Sequence, residues 1–296
     1  MPQHDTEYLT TKELAELLRI KERKVYDLAA SGQVPCSRAM GKLLFPRRAI
    51  EAWIAGESTG GNQTVSEPRP EVLLGSFEPL LEWALLESGC GLATLLDGSL
   101  DGLDRFAKGE GVAAGLHVFD AASGDWNGPA VEQRFARLPV ALVEFAWRER
   151  GLIVAPGQRG KVTGVKAMRG LRVVPRQTSA GTQVLLQHLL AEAGVASTDI
   201  DWTGVAHTES DAAMSVLEGQ ADATLGLRAM ADRLRLDFVP LLRERFDLLV
   251  DRAAWFEPPL QRLMRFCRTD VFAARAADFT GYDVSGLGTV RFNARP

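Results

Sequence analysis

Apolar positions along this chain fall into two regimes. Between Tyr8 and Trp53 they recur at helical spacing, with Leu14, Leu17 and Leu18 at i, i+3, i+4 behind Thr11, which can cap a first helix. Arg19-Ile20-Lys21 reads as a short turn with Ile20 as a buried pivot. A second helix is predicted from about Glu22 to Ala30, with Val25, Leu28 and Ala29 inward and Arg23, Lys24 and Asp27 outward. Gly32 supplies its stop, and a small wing follows. Beyond Pro70 the pattern becomes strand, turn, helix, repeated. Short apolar runs at Val72–Leu74, Leu92–Leu96, Val112–Phe119, Val140–Phe145, Leu152–Val154, Leu171–Val174, Ala221–Gly226, Phe238–Leu241 and Phe246–Val250 alternate with helical stretches. That alternation predicts an α/β domain with mainly parallel sheets. Between the two regimes, Gly56 to Pro70 is rich in Gly, Ser, Thr and Pro and has no apolar period, which reads as a hinge or an ordered connector. The expected organisation is a helix-turn-helix domain over 1–56, a linker over 57–70 and an α/β domain over 71–296.

Composition agrees with two domains, because 296 residues exceed what one core of ~150 residues serves. No apolar run of about 18 residues is present to span a bilayer. The first residues, MPQHDTEYLTTKELAELL, lack the basic-then-apolar order of a secretory signal. Cys36, Cys90 and Cys267 are widely spaced and form no CxxC, which points to a reducing cytoplasm and away from a zinc site. The net charge is −4, yet residues 1–56 carry nine Lys and Arg against seven Asp and Glu. What basic surplus exists therefore sits on the helical module.

Candidate chemistry lies in the punctuation of the second regime. Gly75-Ser76, Gly98-Ser99 and Ser179-Ala180-Gly181-Thr182 each put small and hydroxyl residues at a strand-to-helix junction. A helix N-terminus offers unpaired N–H groups and about half a positive charge, and a hydroxyl adds one more donor. Three such termini converging on one crevice can hold a tetrahedral oxyanion without Lys or Arg. Each alone is equally read as an ordinary N-cap. No Gly-x-Ser-x-Gly elbow, His-Glu-x-x-His or Walker loop occurs, and no carboxylate pair stands out as acid and base. The chain is thus expected not to be an enzyme, with no catalytic residues, no metal and no resident cofactor.

The first module resembles the excisionase-type, MerR-like winged-helix domain, through Tyr8-Leu9-Thr10-Thr11, Val25-Tyr26, Ser31–Pro35 and Leu44–Trp53. The resemblance implies that the second helix enters the major groove of double-stranded DNA while the wing touches the backbone. By position the contacts would be Lys21, Arg23, Lys24 and Tyr26, with Arg38 and Lys42 on the wing. Tyr26 alone reads as core or as phosphate contact. A homodimer reading a palindrome would let weak positive surfaces add.

The remainder resembles a periplasmic-binding-protein-like sensor domain of type II, related to molybdate-binding proteins. Gly75–Leu81, Gly98-Ser99, Leu116–Asp120, Arg148–Leu152, Arg176-Gln177, Ser179–Thr182, Gly219–Ala223 and Leu236–Leu241 carry the match. It implies two lobes joined near Trp147–Arg150 and Leu242–Phe246, with ligand in the cleft between them. Ser76 and Ser99 would donate from the first lobe, and Gly181 and Thr182 from the second. His117, Asp120 and Asn127 would rim the cleft, His117 as structural residue or ligand contact. Arg176 would pair with an anion or with a neighbouring carboxylate. Gln183 departs from the basic residue that relatives carry there, which leaves the charge preference open. Together these readings imply a cytoplasmic, one-component DNA-binding transcriptional regulator that binds no membrane and senses a small ligand, an oxyanion such as molybdate or tungstate. The alternatives are an organic molecule or carboxylate as ligand, or a domain that has lost its ligand and serves as a dimerisation platform.

Overall fold

The computed structural model describes residues 8–30, 34–39, 42–47, 49–51, 53 and 68–295, with the backbone alone at 37–39. By its contacts the chain divides into two compact units, Met1–Pro68 and Arg69–Pro296. Gly32 and residues 57–67 of the expected linker lie outside the described residues. Arg69, also in that stretch, is tied to the second unit by hydrogen bonds to the carbonyls of Phe106 and Gly111 and an ion pair with Asp251 at 3.3 Å.

In the first unit, strand β1 (Tyr8–Leu9) pairs antiparallel with β3 (Lys42–Pro46), which pairs antiparallel with β2 (Ser37–Ala39). Helices span Thr11–Leu18 and Glu22–Ala30. The first is capped by Thr10, where the sequence suggested Thr11. Thr10 as cap puts Glu13 at the third helical position, and the two residues satisfy each other's backbone N–H groups in a capping box. Thr11 as cap would put Leu14 there, with nothing to return. The buried face also turns slightly from the predicted one: Leu14 and Ala15 are buried, while Leu17 is 47% exposed. Arg19 ends the helix in the left-handed region (φ 52°), and Leu9, Leu14, Val25, Ala29, Val34, Phe45 and Ile50 close the core.

The second unit is built on one ten-stranded sheet. At one end β4 (Val72–Gly75) runs parallel to β5 (Ala93–Leu95) and β6 (Ala113–Leu116). A separate small ribbon pairs β7 (Phe119–Asp120) with β8 (Asp125–Trp126). At the other end β10 (Arg172–Val174) runs parallel to β11 (Asp201–Trp202) and β12 (Ala223–Leu227). Two antiparallel strands of 15 residues each, β9 (Val140–Val154) and β13 (Asp237–Asp251), pass through both ends and join them. Strand β14 (Tyr282–Asp283) pairs with β9 at its middle, Trp147–Arg148, and β15 (Val290–Asn293) near its start, Ala141–Val143.

The sheet is therefore mixed, where the sequence suggested a mainly parallel one, and β9 and β13 are each continuous where two runs were expected. Gly151, which lies between the two runs expected within β9, permits close approach, since a Cβ there would fall 2.1 Å from the Val239 carbonyl oxygen. Pro240 stands opposite Gly151, next to a register shift that absorbs its missing N–H. Separate apolar clusters fill each lobe. Leu80, Phe145, Phe246, Leu263 and Phe272 pack on one face of the first, Leu103, Phe106 and Phe135 on the other. Leu152, Val173, Leu185 and Leu186 pack on one face of the second, Ile153, Val216 and Phe238 on the other.

Candidate functional site

The candidate ligand site lies between the lobes of the second unit, where three first-lobe strand ends meet two second-lobe helices. Strand β4 ends at Gly75, which has a φ of 100° and where a Cβ would fall 2.2 Å from the Gly115 carbonyl oxygen. The next residue, Ser76, is buried, and its Oγ stands 2.8 Å from Ser99 Oγ. Ser99 Oγ also accepts the backbone N–H of His117 at 3.1 Å. If Ser99 donates to Ser76, the Ser76 proton stays free for a ligand. Helices Ser99–Ala107 and Gly181–Glu192 both begin without a side-chain cap, so no side chain takes up their first N–H groups.

These two helix starts meet across the cleft. The N–H of Leu100 donates to the Ser179 carbonyl at 3.0 Å, and Ser179 Oγ returns a bond to the Asp97 carbonyl at 2.9 Å. Gly98 (φ 119°) lies so close that a Cβ would be 2.7 Å from the Ser179 oxygen. Gly181 lies against His117, with a Cβ position 2.5 Å from its carbonyl oxygen. Sequence reasoning assigned the residues; the tertiary fold brings Ser76, Ser99, His117, Gly181 and Thr182 to one place.

Beneath them lies a buried ionic cluster that sequence reasoning missed. Arg150 donates to Glu209 at 3.0 Å, to Glu244 at 2.7 Å and to Thr182 Oγ1 at 3.0 Å. Arg148 donates to Glu244 in a short bond, lies over the Phe246 ring and stands 3.8 Å from Glu78. Glu78 in turn caps helix Pro79–Glu87 through the Leu81 N–H and accepts the Tyr282 hydroxyl at 2.5 Å. Thr182 Oγ1 donates to Glu209 at 2.8 Å while accepting from Arg150, so its hydroxyl is fully engaged. Arg176 is engaged likewise, by Glu209 at 3.2 Å and by the carbonyls of Ala206 and His207. Gln183, at the departure from the basic pattern, is nearly buried and accepts the backbone N–H of Arg176. Asn127 donates to Asp247 at 2.8 Å and accepts the Val118 N–H, and Asp120 accepts from Ser123, so both are engaged within the fold.

The protonation states follow from burial and partners. Burial alone would raise the Glu209 carboxyl, but Arg150 and Arg176 outweigh it and bring it down to about 2. Glu244 is held well below the ordinary range in the same way, with Arg148 and Arg150 outweighing burial. Burial pushes His117 down, against the opposing pull of Glu244 at 3.3 Å, which favours the neutral imidazole. Three arginines, Arg148, Arg150 and Arg176, thus face three carboxylates, Glu78, Glu209 and Glu244. The signal for this cluster was in the sequence: Arg-Glu-Arg occurs at 148–150 and again at 243–245. In β9 the two arginines turn inward and Glu149 outward to Arg228; in β13 Glu244 turns inward and Arg243 outward to Asp283. Antiparallel register sets Glu244 opposite Arg148, and nothing local specifies that phase.

Among the described residues, no group of three or more His, Cys, Asp or Glu could hold a metal ion, and no helix is long and apolar enough to cross a membrane. In the first unit Lys21, Arg23, Lys24 and Lys42 are exposed, and Tyr26 is 52% exposed, which removes it from the core. The Arg38 side chain lies outside the described residues.

Residues 8–58 match the family model of a helix-turn-helix domain, and residues 82–268 match that of the PBP superfamily domain. The chain is similar to "Uncharacterized protein YvgK" of Bacillus subtilis (strain 168), at 27% identity over 305 residues, covering 97% of this chain and 98% of the relative. Among solved structures it is similar to the tungstate ABC transporter from Geobacter sulfurreducens, with a TM-score of 0.52 at 11% identity, covering 70% of this chain and 97% of that one. A phosphate-bound, putative phosphate ABC transporter substrate-binding protein from Clostridium perfringens gives a TM-score of 0.50 at 12% identity, over 70% of this chain and 97% of that one. These two likenesses show the two-lobed fold.

Proposed function

The chain belongs to the PBP superfamily and carries a helix-turn-helix domain ahead of that region, and from the two together we propose a one-component transcriptional regulator that senses a small oxyanion. It works in the cytoplasm as a homodimer, reading double-stranded DNA through Lys21, Arg23, Lys24, Tyr26 and the wing. Ser76, Ser99 and the N–H groups at Gly181 and Thr182 face the ligand. His117 and Arg176 hold the surrounding wall. The single observation that carries the oxyanion is the meeting of two uncapped helix starts, one from each lobe, beside the paired Ser76 and Ser99 hydroxyls. Glu209 and Glu244 offset the arginines beneath them, so a tetrahedral anion such as molybdate or tungstate is met mainly by dipoles and hydroxyls. Ligand that binds the closed lobes better than the open ones shifts the population, and DNA affinity changes only by that difference.

The direct contact between Leu100 N–H and the Ser179 carbonyl favours a second reading, in which the closed unit is a dimerisation platform that needs no ligand. Thermal unfolding of the full chain with molybdate, tungstate, sulfate and phosphate, and with a set of carboxylates and amino acids, separates the two. A true ligand at a hundredfold excess over its Kd adds about 2.7 kcal/mol, which moves the midpoint by several degrees. Stabilisation by a carboxylate or amino acid and by none of the oxyanions would replace the oxyanion with an organic ligand. No stabilisation by either class would leave the platform.

A further inference from the structure

We infer that Glu209 is a specificity-determining residue: its carboxylate cancels the cationic corner formed by Arg150 and Arg176 and engages the Thr182 hydroxyl, so the cleft selects an anion by geometry and not by charge. The inference rests on the anion-binding reading above. Glu209 opens helix Glu209–Leu217 and is buried, with one carboxylate oxygen held by three donors: Thr182 Oγ1 at 2.8 Å, Arg150 Nη1 at 3.0 Å and Arg176 Nη1 at 3.2 Å. Thr182 is the second residue of the helix whose start faces Ser99. The carboxylate therefore sits on the second-lobe wall of the cleft, making the contacts that an incoming anion would otherwise make. Arg150 also binds Glu244 at the hinge and Arg176 binds two carbonyls, so neither guanidinium is free to turn elsewhere.

A buried carboxylate fixed on two guanidinium groups has two consequences. The cleft offers an anion hydrogen-bond donors at fixed places but no net positive charge, so any anion of the wrong size gains little there. Without Glu209 the corner would carry an uncompensated charge in a site of low dielectric, and multiply charged anions would be held whatever their shape. Discrimination would fall as affinity rose.

The test is calorimetric titration of the full chain and its Glu209→Gln variant with molybdate, sulfate and inorganic phosphate. The variant is expected to bind each at least tenfold more tightly, with smaller ratios between them. A wild-type chain that is silent while the variant binds would show that Glu209 closes the site to anions, which removes the oxyanion reading and the inference of selection with it. Binding by both proteins with equal or weaker affinity in the variant would overturn the inference and leave the oxyanion reading standing. Silence of both would remove the oxyanion reading and this inference with it. If Glu209→Gln does not fold, Glu209→Asp keeps the charge but withdraws it by one methylene from Thr182. With the charge still cancelling the guanidinium corner, it is expected to keep the affinity and the ratios between anions near those of the parent, and a tenfold gain would sink the inference.

Discussion

At the scale of single residues the decisive groups are the buried charges, and their energetics are visible through acid. Glu209 and Glu244 have carboxyls depressed in the folded chain, Glu209 to about 2, by arginines that outweigh burial. A depressed carboxyl contributes stability that is fully present above its unfolded value and lost as pH falls through the folded one. The unfolding free energy in urea is therefore expected to fall between pH 4.5 and about 2, with Glu209 alone accounting for about 3 kcal/mol. Glu209→Gln should flatten that decline; an equally steep decline in the variant would mean that other carboxylates carry it. Exposed pairs such as Arg172–Asp222 contribute far less, because solvent screens them. None of this was legible residue by residue. Glu209 looks like an ordinary first-turn glutamate, and its role depends on Arg150 and Thr182, 59 and 27 positions away.

At the scale of elements, the two helix starts that face each other are built around glycines, and these separate folding from closure. Gly181 has ordinary backbone geometry, so alanine there strains only the contact with His117. Gly98 combines a φ of 119° with its approach to Ser179, so alanine there strains the backbone as well. Gly181→Ala is expected to fold with stability unchanged to within about 1 kcal/mol, while the lobes no longer meet. Small-angle scattering should then give a larger radius of gyration that ligand does not reduce. A variant as compact as the parent would show that His117 yields at little cost. Helices Thr11–Leu18 and Glu22–Ala30 were legible because their signals are local: apolar spacing, a cap, a turn. The long strands β9 and β13 were not, since residues 146–151 and 242–245 lie outside the short apolar runs and only the partner strand accounts for them.

At the scale of the whole molecule, the two units must be linked for the proposed regulation to exist. The affinity of the full chain for a palindromic duplex is expected to fall steeply with salt. Lys24→Ala should weaken binding to all sequences and reduce the magnitude of the logarithmic salt slope by about 1. Saturating oxyanion should change the apparent Kd for DNA by a factor of about 5–150, in either direction. A Kd that oxyanion leaves untouched, in a chain that binds both, would separate the two units functionally. The sequence alone determined the two-unit composition, the helix-turn-helix, the two-lobed family and the hydroxyl-bearing junctions, because each of these is written in neighbouring residues. Tertiary structure alone decided that Ser76 and Ser99 pair, that Thr182 and Arg176 are engaged by Glu209, and that two Arg-Glu-Arg segments point opposite faces into one cluster. The physical reason is that a buried charge is fixed by its partner, and strand register, which no local pattern encodes, chooses the partner.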